Sequence, residues 1–166
     1  MSRLIPAPLH RLAFRAAHAL RKNWWRWRKP LLLGCRVLAF DAEGRVLLIR
    51  HSYGSGSWML PGGGIARGKD PLDAALRELA EETACALDEA VLFAVVDEPL
   101  FGTTNRVHLV TGSARGAPLA DGREVIAARF FAECALPPDL SQMVGRHLGE
   151  WLTAARAARL RPPGAD

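Results

Sequence analysis

Three cysteines are all that the 166-residue sequence contains, Cys35, Cys85 and Cys134, and no two form a Cys-x-x-Cys pair. An odd, scattered set excludes a disulfide framework and a cysteine zinc site. It suits a reducing compartment, and the cytoplasm is the expected location. Long hydrophobic runs are also missing. No apolar stretch approaches the roughly 18 residues needed to span a bilayer, and the first residues lack the uninterrupted apolar segment of a secretory signal. Acidic residues are absent from Met1 to Arg36, where nine Lys or Arg stand. The remaining 130 residues hold 13 basic and 17 acidic side chains, so the net charge of +5 belongs to an N-terminal arm and the body behind it is mildly acidic. A whole-surface nucleic-acid binder needs positive charge on the folded body. No specific nucleic-acid partner is therefore expected.

What is present is one globular domain's worth of apolar residues, 49% of the chain. In the arm, residues 1–30, the positions Leu9, Leu12, Ala13, Ala16, Leu20, Trp24 and Trp27 recur at helical three- and four-residue steps. Arg11, Arg15, Lys22 and Arg26 fall on the other side, and Pro30 ends the pattern. Such a basic amphipathic helix suits an anionic membrane surface, a site on its own domain, or a second subunit. An Arg-rich, acid-poor start also has the composition of a transit peptide.

The domain is expected over residues 31–161, with a flexible Pro-rich tail at 162–166. Leu31 to Phe40 and Arg45 to Arg50 are strand-like and flank Asp41-Ala-Glu-Gly44, a hairpin signature. His51 to Gly64 holds five glycines and a proline, a loop built to bring backbone close to a ligand. Asp70-Pro71 opens a helix as N-cap and first-turn proline, running to about Ala84. Val91 to Asp97, Arg106 to Gly112 and Val125 to Cys134 are strand candidates, and Leu140 to Arg161 forms one or two closing helices. The predicted class is an α/β/α sandwich around a mixed sheet.

The central helix carries Arg77-Glu78-Leu79-Ala80-Glu81-Glu82. At about 100° per residue, Glu81 lies roughly 60° to one side of Glu78 and Glu82 roughly 40° to the other, so three carboxylates share one face within one turn. Like charges so close repel and call for a cation. A solvated acidic face would look the same. A hard divalent ion such as Mg2+, which takes carboxylate, water and phosphate oxygens, answers the charge and points to diphosphate chemistry. Gly63 to Lys69 also fits the Gly-x-x-x-x-Gly-Lys start of a phosphate-binding loop, but Asp70 stands where Ser or Thr must hold the metal.

Together, Leu60-Pro61-Gly62-Gly63-Gly64 and Arg77 to Glu82 resemble the Nudix box, with Gly63 matching its first glycine and Arg77, Glu78, Leu79, Glu81 and Glu82 its second block. Two positions depart: Lys69 replaces the usual glutamate and Ala84 the closing glycine. The resemblance implies a Nudix fold and metal-dependent hydrolysis of a diphosphate linkage, with Mg2+ or Mn2+ as cofactor. It implies metal ligands in Glu81 and Glu82, near the backbone carbonyl of Gly62 or Gly63, and a role for Glu78 as further ligand or as base. Arg77 would orient the carboxylates. Glu124 is the candidate for an additional acidic ligand from a later loop, or an ordinary strand-edge residue. Arg50 is a candidate for phosphate, and Tyr53, Trp58 and Phe101 for stacking on a base.

The expected substrate is a small nucleoside diphosphate derivative, ADP-ribose-like by default. The alternative is a catalytically weak module that binds a nucleotide or a partner, with the arm giving peripheral membrane contact or a homodimer.

Overall fold

The computed structural model describes residues 31–100 and 102–160. The arm, Phe101 and the tail lie outside the described residues, and with them the expectations placed there. The elements are β1 (Leu32–Phe40), β2 (Val46–His51), β3 (Trp58–Met59), α1 (Pro71–Thr83), β4 (Ala86–Leu100), β5 (Thr103–Arg115), β6 (Val125–Phe131), a 3-10 turn (Glu133–Ala135) and α2 (Gln142–Arg159). No helix among the described residues is long and apolar enough to cross a membrane.

The predicted sandwich is what forms. Six strands make a mixed sheet in the order β3-β2-β1-β5-β4, with β6 pairing β2. β1 lies in the middle and feeds both faces, which is why its sequence is apolar apart from Arg36 rather than alternating. Leu38 and Phe40 join a core with Leu109 of β5 and with Leu148, Trp151 and Leu152 of α2. Cys35, Val37 and Ala39 point the other way, into a second core with Ala75 and Leu79 of α1.

The expected β1–β2 hairpin is present only at its turn. Antiparallel pairing is confined to Phe40↔Val46, while β1 runs parallel to β5 from Leu32↔Asn105 to Phe40↔Ser113. The reason lies on the other edge of β1, which is occupied by the glycine loop. Val37 N donates to Pro61 O at 2.9 Å, Cys35 N to Gly63 O at 2.9 Å, and Ile65 N to Leu33 O at 2.8 Å. A strand edge offers each amide once, so the loop displaces β2 from it.

Two strands are longer than their sequence pattern suggests. β4 extends from 86 to 100 rather than 91 to 97, because irregularities at Asp88/Val91 and Leu92/Ala94 break its alternation, and Glu89 sits at φ 53°. β5 runs from 103 to 115 as its full-length partner. β6 stops at Phe131 instead of Cys134, where the chain tightens into the 3-10 turn ahead of Pro137 and Pro138, which donate no amides.

Helix α1 begins as its sequence dictates: the Asp70 carboxylate accepts from Leu72 N at 2.7 Å and Asp73 N at 3.1 Å. It ends with Ala84 in the left-handed region at φ 57°, where a Cβ costs about 1–2 kcal/mol. Glycine removes that penalty but loses about 0.5–1 kcal/mol through a freer unfolded chain. Ala84→Gly is therefore expected to stabilise the protein by about 0.5–1 kcal/mol, seen as a higher urea midpoint. A lower midpoint would show that the left-handed cap carries no strain.

Candidate active site

α1 presents its carboxylates beneath the glycine loop, and each is held differently. Glu82 is buried at 7% exposure. Its Oε2 accepts from the Gly62 amide at 2.8 Å, and its Oε1 meets His51 Nε2 at 2.8 Å. Glu78 lies directly under Gly63: a Cβ on that glycine would sit 2.5 Å from the Glu78 carboxyl carbon. Gly62 has φ 148°, and a side chain there would collide with the Cys35 carbonyl. Both glycines are thus required by geometry, as the sequence suggested for a loop that brings backbone close to a site.

Arg77 spans the other two acids, donating to Glu78 Oε1 at 2.6 Å and to Glu81 Oε2 at 2.8 Å. Burial, as the main cause, pushes the Glu78 carboxyl above its ordinary value; Arg77 pulls against this, and repulsion from Glu82 and Glu81 adds to it. Burial likewise raises the Cys35 thiol and keeps it protonated beside the loop.

The residues fit a divalent cation by the nature of their donors: three carboxylates on one turn, one of them disfavoured from ionising chiefly by burial, next to glycine carbonyls. The Gly63 carbonyl already accepts from the Cys35 amide. Among the described residues no three His, Cys, Asp or Glu side chains converge on a single point as placed. Arg77, His51 and the Gly62 amide hold the carboxylate oxygens instead. Lys69 is exposed and, among the described residues, has no ion-pair partner, so the position that departs from the box does not occupy the carboxylates.

A cleft of about 960 Å3 opens beside the loop. Leu32, Leu33, Met59, Leu60, Leu100 and Val107 give it apolar walls, and His51, Tyr53, Arg36 and Asn105 supply polar groups. Tyr53, expected to stack on a base, lines this cleft; its hydroxyl donates to Glu124 Oε1 at 2.8 Å and its ring stacks on His51 with centroids 4.8 Å apart. Glu124 therefore joins the trio through Tyr53 and His51 rather than by touching it.

Arg50 and Trp58 are placed elsewhere. The Arg50 guanidinium covers the Trp58 ring at 4.8 Å and pairs with Asp139, while Trp58 is core, edge-on to Phe131. Phe101 lies outside the described residues.

Sequence reading passed over His51 and Arg36. His51 stands alone in the sequence, with no second histidine at metal-ligand spacing. Its only signal is its place at the end of β2, where the glycine loop begins. Arg36 reaches the cleft wall and is fixed by a two-pronged pair with the buried Glu98; nothing local in the sequence marks it.

In the metal-free protein the raised Glu78 value has a defined sign. Glu78 contributes stability while protonated, and that contribution is lost as pH rises through the folded-state value. Glu78→Gln is therefore expected to be more stable than wild type at pH 7 in EDTA, with the gain fading below the ordinary pKa of 4.5. Equal stabilities at both pH values would contradict the burial of this carboxyl.

Comparison with known proteins gives the family. A family model described as the NUDIX domain matches residues 30–152. An RNA pyrophosphohydrolase of Bartonella bacilliformis is 44% identical over 62 residues, 32% of this chain and 36% of that protein. The chain thus spans about a third of the length of the RNA pyrophosphohydrolases it matches. A Bacillus subtilis (strain 168) protein provisionally named an 8-oxo-dGTP diphosphatase is 30% identical over 105 residues, 63% of this chain and 68% of that protein. Among solved structures, a MutT NUDIX hydrolase from Burkholderia pseudomallei superposes with a TM-score of 0.65 at 27% identity, covering 75% of this chain and 98% of that one. With a box of carboxylates in register, the fold that carries it and a family match over most of its length, the chain belongs to the NUDIX domain family.

Proposed function

We propose that the protein is a pyrophosphohydrolase that cleaves a diphosphate linkage in a nucleoside diphosphate derivative, using Mg2+ or Mn2+ held by the α1 carboxylates. The observation that carries this reading is the bond that holds Glu82 to the Gly62 amide, with Glu78 close under the side-chain-free Gly63, at the border of a cleft large enough for a nucleotide. Glu81, Glu82 and Glu78, with a carbonyl of Gly62 or Gly63, are the ligand candidates, and Glu124 an outer contributor through Tyr53. When bound, the metal neutralises charge on the diphosphate and lowers the pKa of water.

The chain's own groups account for the rest. The glycine loop brings main chain against the diphosphate without side-chain obstruction. Arg77 fixes the direction of two carboxylates. Glu78, whose carboxyl is already biased toward holding a proton, is suited to accept one from the attacking water. The water oxygen bonds to one phosphorus as the bridging P–O bond breaks, so that two phosphate-bearing products leave. The apolar cleft walls take the nucleoside, and an ADP-ribose-like nucleoside diphosphate sugar is the default substrate. Three free cysteines fit a reducing compartment such as the cytoplasm.

Lys69 favours a second reading, a weak or inactive module that binds its nucleotide without turnover. Its exposure and lack of an ion-pair partner among the described residues weaken that reading. Product release from a panel of nucleoside diphosphate derivatives, with Mg2+, Mn2+ or EDTA, decides between them. Metal-dependent turnover that falls about 100-fold or more in Glu82→Gln is expected, since such electrostatic groups carry about 10²–10³ in rate; no turnover with any substrate would favour the binding module. Lys69→Glu is expected to change kcat/KM only a few-fold, and a gain of orders of magnitude would show that this residue had disarmed the site.

A further inference from the structure

The face of the sheet shared with α1 is not fully covered. Strand register shows which side chains meet beyond the end of the helix. Cys35 of β1 stands beside His108 of β5, and His108 opposite Val95 of β4. One row on, Leu33 is followed by Arg106 and Asp97, which pair with each other at 2.9 Å and close the strip. On the opposite side, Val110 meets Leu92. The irregularity after Leu92 brings Leu92 and Val95 to the same face although they are three residues apart. The outcome is an apolar strip in which Val95 is 50% and Leu92 42% exposed, with half-buried Leu33 and His108 between them and Leu31, 54% exposed, at the entry.

We propose that this strip is the docking site of the chain's own N-terminal arm, engaged through Leu20, Trp24 and Trp27 on the apolar side of the amphipathic pattern. Two observations select this occupant. The arm joins β1 at this place: Pro30 precedes Leu31, so the chain that follows Trp27 runs directly to Leu33 on the strip. The dimensions agree, because residues 20 to 27 as helix rise about 11 Å, and three adjacent strands span about 10 Å. The contact is apolar rather than ionic, because Asp88, Asp97 and Glu98 of β4 are already paired with Arg115, Arg106 and Arg36. A tethered segment also competes at an effective concentration near millimolar, which a second copy in dilute solution does not reach.

The full-length chain tests this in a Cys134→Ser background, which removes the exposed thiol and leaves Cys35 and Cys85 buried. Trp24→Cys is combined with Val95→Cys, or with Ile126→Cys on β6 as the control, and oxidised at low micromolar concentration. A disulfide needs Cα atoms within about 7 Å. An intramolecular cross-link forming at least about 10-fold faster with Val95→Cys than with Ile126→Cys is the expected result. Equal rates, or covalent dimers in place of a cross-linked monomer, would overturn the assignment.

As a readout that leaves Trp24 in place, Leu92→Glu and Val95→Glu, at sites exposed enough to accept the charge, are expected to speed tryptic cleavage between Arg21 and Lys29 several-fold. Unchanged cleavage, or protection appearing only with phosphatidylcholine/phosphatidylserine vesicles, would count against docking on the domain.

Discussion

Much of this molecule hangs on one buried carboxylate. Glu82 gives one oxygen to the Gly62 amide and the other to His51, and so ties a helix, a glycine loop and the end of β2 together at a point with little access to water. Leaving such partners unsatisfied in a buried site costs about 1–3 kcal/mol each. The path of the loop follows from this. Once Gly62 is fixed, Pro61, Gly63 and Ile65 fall along the edge of β1 and take its hydrogen bonds. β2 meets β1 only at the turn, and finds its long partner in β6.

β1 is the other shared resource. Its odd residues belong to the α1 side and its even residues to the α2 side, so the helix that bears the acids and the helix that closes the fold are braced against opposite faces of one strand. Near its start the same strand reaches the cleft, where Gly34 leaves room for the Asn105 carboxamide, whose oxygen would be 3.3 Å from a Cβ at that position. Arg36, two residues on, is locked by Glu98 and lies over Trp151 of α2 at 5.5 Å. Core and cleft are therefore two ends of one element, and the cleft wall inherits the rigidity of the core.

The carboxylate helix was legible because helical periodicity alone puts Glu78, Glu81 and Glu82 on one side, and Asp70-Pro71 announces where the helix starts. The sandwich class was legible from the alternation of strand-like and helical segments. Other features had no local signal. The partners of His51 and Arg36 are 31 and 62 residues away, and pairings of that range are set by the fold. β3 is only two residues long, too short for any period to show, and the bulged parts of β4 read as irregular because their side chains do not alternate. Arg50 and Trp58 had suggested ligand contact by residue type. Their chemistry was indeed used for a cation-on-ring contact, but with each other.

The stub strand β3 has a bearing on how the protein is made. Trp58 N donates to Asp139 O at 3.0 Å, Ser141 N donates to Trp58 O at 2.8 Å, and Arg50 reaches across to Asp139. The segment that leads into the glycine loop is thus stapled to residues about 80 positions later, just before α2. A ribosome releases the chain from its N-terminus, so α1 and most of the sheet can emerge while this staple is still missing. Gly62 and Gly63 can already take their places on Glu82 and β1, but the segment that leads into them would be pinned only once residues 139 to 141 have emerged, so the site's near wall is completed later than its acids.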